Sequence, residues 1–457
     1  MSSDDDMYDD DSFEQETVDD QILDREGLKS DMEEVITSVQ ETIQVTEGVC
    51  RILLQNHKWN QEALIDKFYD SADLETFLSA ANIPLQTPSS ADGECDICCD
   101  MAPLTGLSCA HLACSQCWKA YITEKIKEGQ SEIECMAPKC QLIIPDEQVV
   151  KCISDDTKVL DTYHRVILNN YVKTNVYLEW CPGIDCGKAV KGSTCDPHLI
   201  VCTCGTRFCF ACSNDWHEPV DCRQMKLWVK KCGESSETAT WIIENTKDCP
   251  KCLTSIQKNG GCNYIRCTNP KCGYQFCWIC MNAWSVHANA WYNCNSFDQA
   301  AENNRSQFRN NHDRYLFFYN RYRSHEQSLK MEERLIAKMN MKMEQMQNHS
   351  MTWREVQFLR EAVNVLSLAR RTMMFTYVFA YFLQKNNHSM MFETNQKDME
   401  MATEQLSGFL EQDLEGENLK TLKLKVQDKC RYVEQRRNAL LNHCKEGIEQ
   451  DVWEFIE

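Results

Sequence analysis

CPKCLTSIQKNGGCNYIRCTNPKCGYQFCWIC, residues 249–280, places seven cysteines in 32 positions. His287 and Cys294 follow. Zinc prefers four nitrogen or sulfur ligands in a tetrahedron, so a stretch holding two ions offers eight places to nine candidates. An internal repeat helps to choose among them. FCFAC (208–212) matches FCWIC (276–280), and each is followed by a tryptophan, a histidine and a cysteine. Upstream, Cys181, Cys186, Cys202, Cys204, Cys209, Cys212, His217 and Cys222 form a complete set of eight, with 15 residues between Cys186 and Cys202. With Cys267 and Cys272 as the second ligand pair, the later stretch has 14 residues in that gap; with Cys262 it has nine. The better match takes Cys249, Cys252, Cys267, Cys272, Cys277, Cys280, His287 and Cys294 as ligands and leaves Cys262 over. Behind Gly260 and Gly261, Cys262 has permissive backbone and open access, so it reads as a nucleophile or as a bystander thiol.

A third set lies nearer the N-terminus: Cys95, Cys98, Cys109, His111, Cys114, Cys117, Cys135 and Cys140. Closely spaced pairs act as chelating corners. Pairing the first corner with the third and the second with the fourth would staple this stretch without a large core. In the 181–222 set, sequential pairing fits instead. Together the three sets call for six zinc ions. Of the 29 cysteines, 26 fall between residues 95 and 294. A secreted disulfide scaffold would use cysteine as densely, but MSSDDDMYDDDSFEQETVDD has neither the basic nor the apolar region of a secretory signal. A reducing compartment is expected, cytoplasmic first and nuclear second.

The 457 residues suffice for several domains, with 43% hydrophobic content for their cores. Net charge is −21, and zinc-bound thiolates make it more negative, which disfavours nucleic acid as a partner. The longest apolar run, Met373 to Leu383, is about half the roughly 20 residues a membrane span requires, so no membrane partner is expected. The first 20 residues carry ten acidic side chains and no basic one, the composition of a solvated tail. From about Asp31 to Ala81 apolar residues recur at helical spacing, with Asn60 as an N-cap. Beyond Ser296 the pattern is helical again: Trp353, Val356, Leu359, Val363, Leu366 and Met373 form one stripe, and Leu419, Leu422, Val426, Cys430 and Val433 another.

Three consecutive two-zinc modules resemble a RING-between-RING ubiquitin ligase. ENTKDCPKC (244–252), NGGCNYIRC (259–267), FCWIC (276–280) and WYNCN (291–295) are similar to its Ariadne branch. TYVFAYFLQKNN (376–387) and VQFL (356–359) resemble that branch's helical domain. The resemblance implies a multidomain chain of small zinc-stapled modules between two helical parts. Its order is an acidic disordered tail (1–34), a ubiquitin-associated-like helical domain (35–84), a linker (85–94), a first RING (95–145), linker helices (146–175), an in-between-RING domain (176–225), a linker helix (226–246), a second RING-like catalytic domain (247–296) and an all-α Ariadne-like bundle (297–457).

The resemblance also implies a reaction. A ubiquitin-conjugating enzyme docks on the first RING, where Ile97 offers an apolar contact. Ubiquitin passes to Cys262 as a thioester, then to a lysine of a protein substrate. Gln141 stands where many single-RING ligases have a basic residue that holds ubiquitin in a reactive pose. The helical tail holds the ligase off, with Glu332 and Glu404 as contact candidates, and neddylated cullin–RING ligases are the implied activating partners. The chain departs from the pattern twice: Tyr264 stands where the family usually has a histidine, and Gln275 where many members have an acidic residue. Tyrosine, with a reference pKa of about 10, is a poor base at neutral pH. A scaffold that binds the same partners with weakened catalysis is therefore the competing reading.

Overall fold

The computed structural model describes residues 19–84, 89–234, 246–258, 263–285, 307–348, 352–411 and 419–456. Two compact units emerge, residues 1–216 and 217–457.

In the first unit the folded chain starts earlier than its sequence suggests. Residues 1–34 read as an acidic tail, yet β1 (Gln21–Leu23) and α1 (Arg25–Ile43) lie within or begin in that range. Asp24 caps α1 by accepting from the Gly27 N–H, and Leu28, Met32, Ile36, Val39 and Ile43 form one buried stripe. The helix stops at Gln44, whose backbone turns left-handed and returns its N–H to the Gln40 carbonyl. Then come α2 (Glu47–Asn56), α3 (Gln61–Tyr69, capped by Asn60) and α4 (Leu74–Ala80, capped by Asp73). Asp24→Ala is expected to cost about 1 kcal/mol, the usual worth of such a cap; a lowered calorimetric midpoint checks it.

The first zinc module is built on the antiparallel sheet β2 (Ser89–Glu94), β3 (Met101–Gly106) and β4 (Ala113–Cys114), with α5 (Ser115–Lys127) laid over it. Trp118, Ile122 and Ile126 are the buried face of α5. Next come α6 (Asp146–Ile153) and α7 (Thr157–Thr174). The helical domain is fastened to this part of the chain by buried Arg51. Its guanidinium pairs with Asp146 and donates to the Ser131 carbonyl at 3.2 Å, and Tyr163 also donates to Asp146 at 2.8 Å. Gly48 lies against the same corner, where a Cβ would come within 2.8 Å of Asp146.

The middle module has two small ladders. β5 (Leu178–Trp180) and β6 (Ala189–Lys191) form one, and β7 (Leu199–Val201) and β8 (Arg207–Cys209) the other. β1 adds a third strand to the first ladder, Ile22 opposite Val190, so residues near the N-terminus complete a module 170 positions away. Asp20 meets His198 beside it at 3.1 Å. Val190, Ile200, Phe208 and Phe210 form this module's own apolar cluster with its cysteines, while Leu178 and Ala189 pack into the larger core; so small a cluster calls for metal to hold it.

The second unit opens on α8 (Cys222–Glu234), whose Trp228 sits among Tyr315, Tyr319, Tyr322 and Tyr381. The last zinc module follows as two hairpin-like pairs, β9 (Thr246–Asp248) with β10 (Ser255–Gln257), and β11 (Tyr264–Arg266) with β12 (Gln275–Cys277). The tail is a bundle of α9 (Gln307–Lys330), α10 (Glu332–Asn348), the short α11 (Trp353–Val356), α12 (Phe358–Phe382), α13 (Asn387–Glu411) and α14 (Leu419–Glu449). Helix α12 is its axis, buried along most of its length. Of the two stripes read from the sequence, Val356, Leu359, Val363, Leu366 and Met373 are buried in the first, and Leu422, Val426 and Val433 in the second, with Cys430 half-buried. Trp353 is 67% exposed, because it starts the separate α11 and not the long α12. No described helix is long and apolar enough to cross a membrane.

Candidate metal and acyl-transfer site

Five quartets of zinc-type ligands form among the described residues: Cys95, Cys98, Cys114, Cys117; Cys109, His111, Cys135, Cys140; Cys181, Cys186, Cys202, Cys204; Cys209, Cys212, His217, Cys222; and Cys249, Cys252, Cys267, Cys272. The first two interleave in sequence, as a cross-brace requires, and the next three run sequentially. Their spacing tests the metal directly. A tetrahedron with zinc–sulfur bonds of about 2.3 Å has sulfurs about 3.8 Å apart, against about 2 Å in a disulfide. The separations are 3.9 Å for Cys95–Cys117, 3.7 Å for Cys98–Cys114, 3.6 Å for Cys181–Cys204 and 3.6 Å for Cys252–Cys267. The donor sets fit zinc.

Each histidine presents a definite nitrogen. His217 donates from Nδ1 to the Val220 carbonyl at 2.6 Å, which turns Nε2 toward Cys222 Sγ, 3.7 Å away. His111 faces Cys135 with Nδ1, also at 3.7 Å. In the last module Cys277 lies on β12 and Cys280 just beyond it, while His287 and Cys294 lie outside the described residues.

Cys262 also lies outside the described residues, but its neighbour does not. Among the described residues, the quartet of the last module is filled with Cys267 and Cys272 as its second pair. Asn263 is buried and held on four sides. Its N–H donates to Glu404 Oε2 at 2.7 Å, and its carbonyl accepts from the Trp278 N–H at 2.8 Å. Its side-chain oxygen accepts from Lys258 Nζ at 3.0 Å and from the Ser324 hydroxyl at 3.2 Å. Glu404 belongs to α13 and Ser324 to α9, so the tail helices reach the residue that follows Cys262. Glu332 opens α10; its side chain lies outside the described residues.

Glu404 is 3% exposed. Its other oxygen is 3.7 Å from Arg370 Nη1, and Arg370 also donates to Ser407 at 2.7 Å. Lys258, Asn263, Ser324 and Arg370 are functional candidates that the sequence did not single out. All four are polar residues inside a core, and nothing in their spacing separates them from surface residues. Position offered one signal only, that Asn263 directly follows Cys262.

Beside this cluster lies His325, fully buried, its ring stacked on Tyr377 and its Nε2 4.0 Å from Glu400. Burial lowers its pKa well below the usual value, and the nearby positive charges of Arg370, Lys258 and Arg321 lower it further. A histidine with a depressed folded-state pKa keeps its full contribution above about pH 6.5 and loses it as pH falls below that. The thermal midpoint of the second unit is therefore expected to drop between pH 7 and pH 5.5. His325→Gln should flatten that slope; an unchanged slope counts against the assignment.

Tyr264 begins β11 opposite Cys277, its ring 5.0 Å from that of Trp284. Gln275 is exposed on β12 opposite Arg266, so Tyr264 and Gln275 are diagonal neighbours on one face of the ladder. Ile97, between the first two ligands of the first module, is 59% exposed, and nearby Met101 is 78% exposed. Gln141 is exposed as well.

Four family models match the chain. They are the UBA-like domain of E3 ubiquitin-protein ligase ARIH1 over residues 30–70, the IBR domain (a half RING-finger domain) over 161–222, a second IBR domain model over 242–290, and the Ariadne domain over 313–452. The E3 ubiquitin-protein ligase ari-1.1 of Caenorhabditis elegans is 56% identical, over 96% of this chain and 90% of its own length. The human E3 ubiquitin-protein ligase ARIH1 is 44% identical, over 96% and 82%. The Drosophila melanogaster E3 ubiquitin-protein ligase ariadne-1 is 42% identical, over 95% and 90%.

Proposed function

This chain belongs to the Ariadne-type RING-between-RING ubiquitin-protein ligases, and we propose that within it Cys262 is the residue that accepts ubiquitin. It is a zinc-binding ubiquitin transferase, and ubiquitin and a conjugating enzyme are its partners. The observation that carries the assignment of Cys262 is the last module's quartet, which is complete with Cys267. That leaves a thiol after two glycines and directly before an ordered residue clamped by four hydrogen bonds.

The sequence of events follows from the chemistry. The conjugating enzyme docks on the first RING through Ile97 and its exposed apolar neighbour Met101. Its thioester exchanges onto Cys262, and a substrate lysine then attacks, so one transfer becomes two acyl exchanges. The zinc ions, six in all with Cys277, Cys280, His287 and Cys294 as the last set, hold the modules in shape. The tail restrains the last module through Glu404, and Glu332 is a second contact. Neddylated cullin–RING ligases are proposed as the partners that release it, received by the N-terminal helical domain, where Tyr69 and Leu74 are exposed. The setting is cytoplasmic, with the nucleus second.

The test is a non-reducing gel after charging by a conjugating enzyme. A reductant-sensitive ubiquitin adduct is expected in a chain ending near residue 300, weaker in the full chain and absent in Cys262→Ser. A reductant-sensitive adduct that survives Cys262→Ser refutes the assignment. Tyr264 and Gln275 favour the second reading, a scaffold with weakened catalysis. An adduct that forms but does not discharge to lysine would support it.

A further inference from the structure

We infer that the cavity between α5 and α6 of the first unit is a binding site for a small amphipathic monocarboxylate, held with its apolar body inside and its carboxylate on Lys151. None of the zinc ligands lines this cavity, and neither Ile97 nor Met101 does. It is therefore separate from the metal sites and from the proposed conjugating-enzyme contact.

The inside of the cavity sets the body of the ligand. Its volume is about 600 Å³. Small-molecule sites span about 300–1,000 Å³. Folded interiors leave few voids larger than a water molecule, because an unfilled wall loses its packing partners. The floor here is Leu107, Trp118, Ile122 and Ile144, all buried. Trp118 donates its indole N–H to the Thr105 carbonyl at 2.7 Å, so a ligand meets the ring and no polar group. Cys152, half-buried on α6, adds a thiol. Burial raises its pKa although Lys151 opposes the rise, so the thiol stays protonated at neutral pH and serves as lining.

The rim sets the head group. Lys119 on α5 pairs with Asp155 at 2.6 Å across the mouth, which offsets both charges. Lys151 on α6 is exposed and lines the cavity, and among the described residues it pairs with no acid. Gln148 precedes it by three positions on the same helix face and brings an amide donor to the same rim. One unpaired cation and one amide above an apolar floor match a single carboxylate. An ammonium head would be repelled, and one free lysine beside an acid is too little for a phosphate.

Decanoate, decanol and decylamine share an alkyl chain and differ in the head group. Each is offered, below its micelle concentration, to the zinc-loaded full chain. Alkylation of Cys152 by N-ethylmaleimide is timed by peptide mass spectrometry, with exposed Cys195 as the internal control. Decanoate is expected to slow Cys152 saturably, about tenfold at ten times its Kd, and to raise the thermal midpoint of the first unit, as mass action requires. Cys195 should not change. Decanol should protect less, and decylamine least. Lys151→Glu should reverse the order of decanoate and decylamine. Gln148→Trp, which fills the cavity, should remove the protection. Equal protection by all three, or an order that Lys151→Glu leaves unchanged, means apolar partition only and overturns the inference, even if Gln148→Trp fails to fold. So does an absence of protection by decanoate. If a conjugating enzyme then protects Cys152 instead, the cavity is a protein contact and no ligand site.

Discussion

Replacing Tyr264 with histidine is expected to speed the discharge of ubiquitin from Cys262 to free lysine by about 10²-fold, the lower end of what a positioned general base contributes. Thioester formation should change less than threefold. The two steps differ in what they ask of the protein. Thiol–thioester exchange is nearly balanced and needs a thiolate but no further base. Aminolysis needs a neutral amine, and at pH 7 most lysine is protonated. Tyr264 lies two residues after Cys262, at the start of β11, where an imidazole with a reference pKa of about 6.5 could take that proton. Gln275 is its diagonal neighbour on the same face, so an acid there could orient the imidazole. Tyr264→His with Gln275→Glu should therefore exceed the single change. Losing the edge contact with Trp284 should cost about 1 kcal/mol, visible as a small drop in thermal midpoint. Single-turnover lysine discharge measures the rate. An unchanged rate would mean that proton removal at this position does not limit transfer, and would strengthen the scaffold reading.

The five quartets were legible because a tetrahedral ion fixes which spacings work. Comparison of the gaps in two modules was enough to favour Cys267 over Cys262, and Cys267 is in the quartet. Helical stripes were legible for a similar reason: Val356, Leu359, Val363 and Leu366 repeat with the turn and lie inside the bundle. What escaped depends on contacts between distant residues. Gln21–Leu23 is too short to show a strand period, and its pairing with Ala189–Lys191 leaves no local trace. An acidic stretch before it made the whole segment look like tail, although Leu28 and Met32 already begin the stripe of α1. Buried polar residues are hardest of all. Arg51 and Lys258 have the composition of a surface and the position of a core, and only their partners reveal it.

Arg370→Ala is expected to release the tail, raising thioester formation by the full chain about 10²-fold, toward the rate of a chain without the tail. Arg370 and Glu404 are both about 3% exposed. Glu404 spends one oxygen on the Asn263 N–H, and its other oxygen has Arg370 Nη1 at 3.7 Å. Removing one partner of a buried pair leaves an uncompensated charge, typically a loss of about 3–5 kcal/mol. Most proteins must bear that loss in their only folded state. Here there is an escape, since Glu404 regains water when α13 leaves the last module. The loss therefore falls mainly on the closed state, and at about 1.4 kcal/mol per tenfold it shifts the balance by about two to three and a half orders of magnitude. Arg370 also holds Ser407, so Ser407→Ala serves as a control for disturbance of the bundle and should have a much smaller effect. The double change Arg370→Ala with Glu404→Gln tests the cause. It removes the stranded charge but keeps an acceptor for the Asn263 N–H, so it should be more closed than Arg370→Ala alone, a non-additivity that a double-mutant cycle reads directly. If Arg370→Ala stays as slow as the parent while its tail melts normally, the charge on Glu404 does not govern closure, and the restraint must come from the packing of the helices themselves.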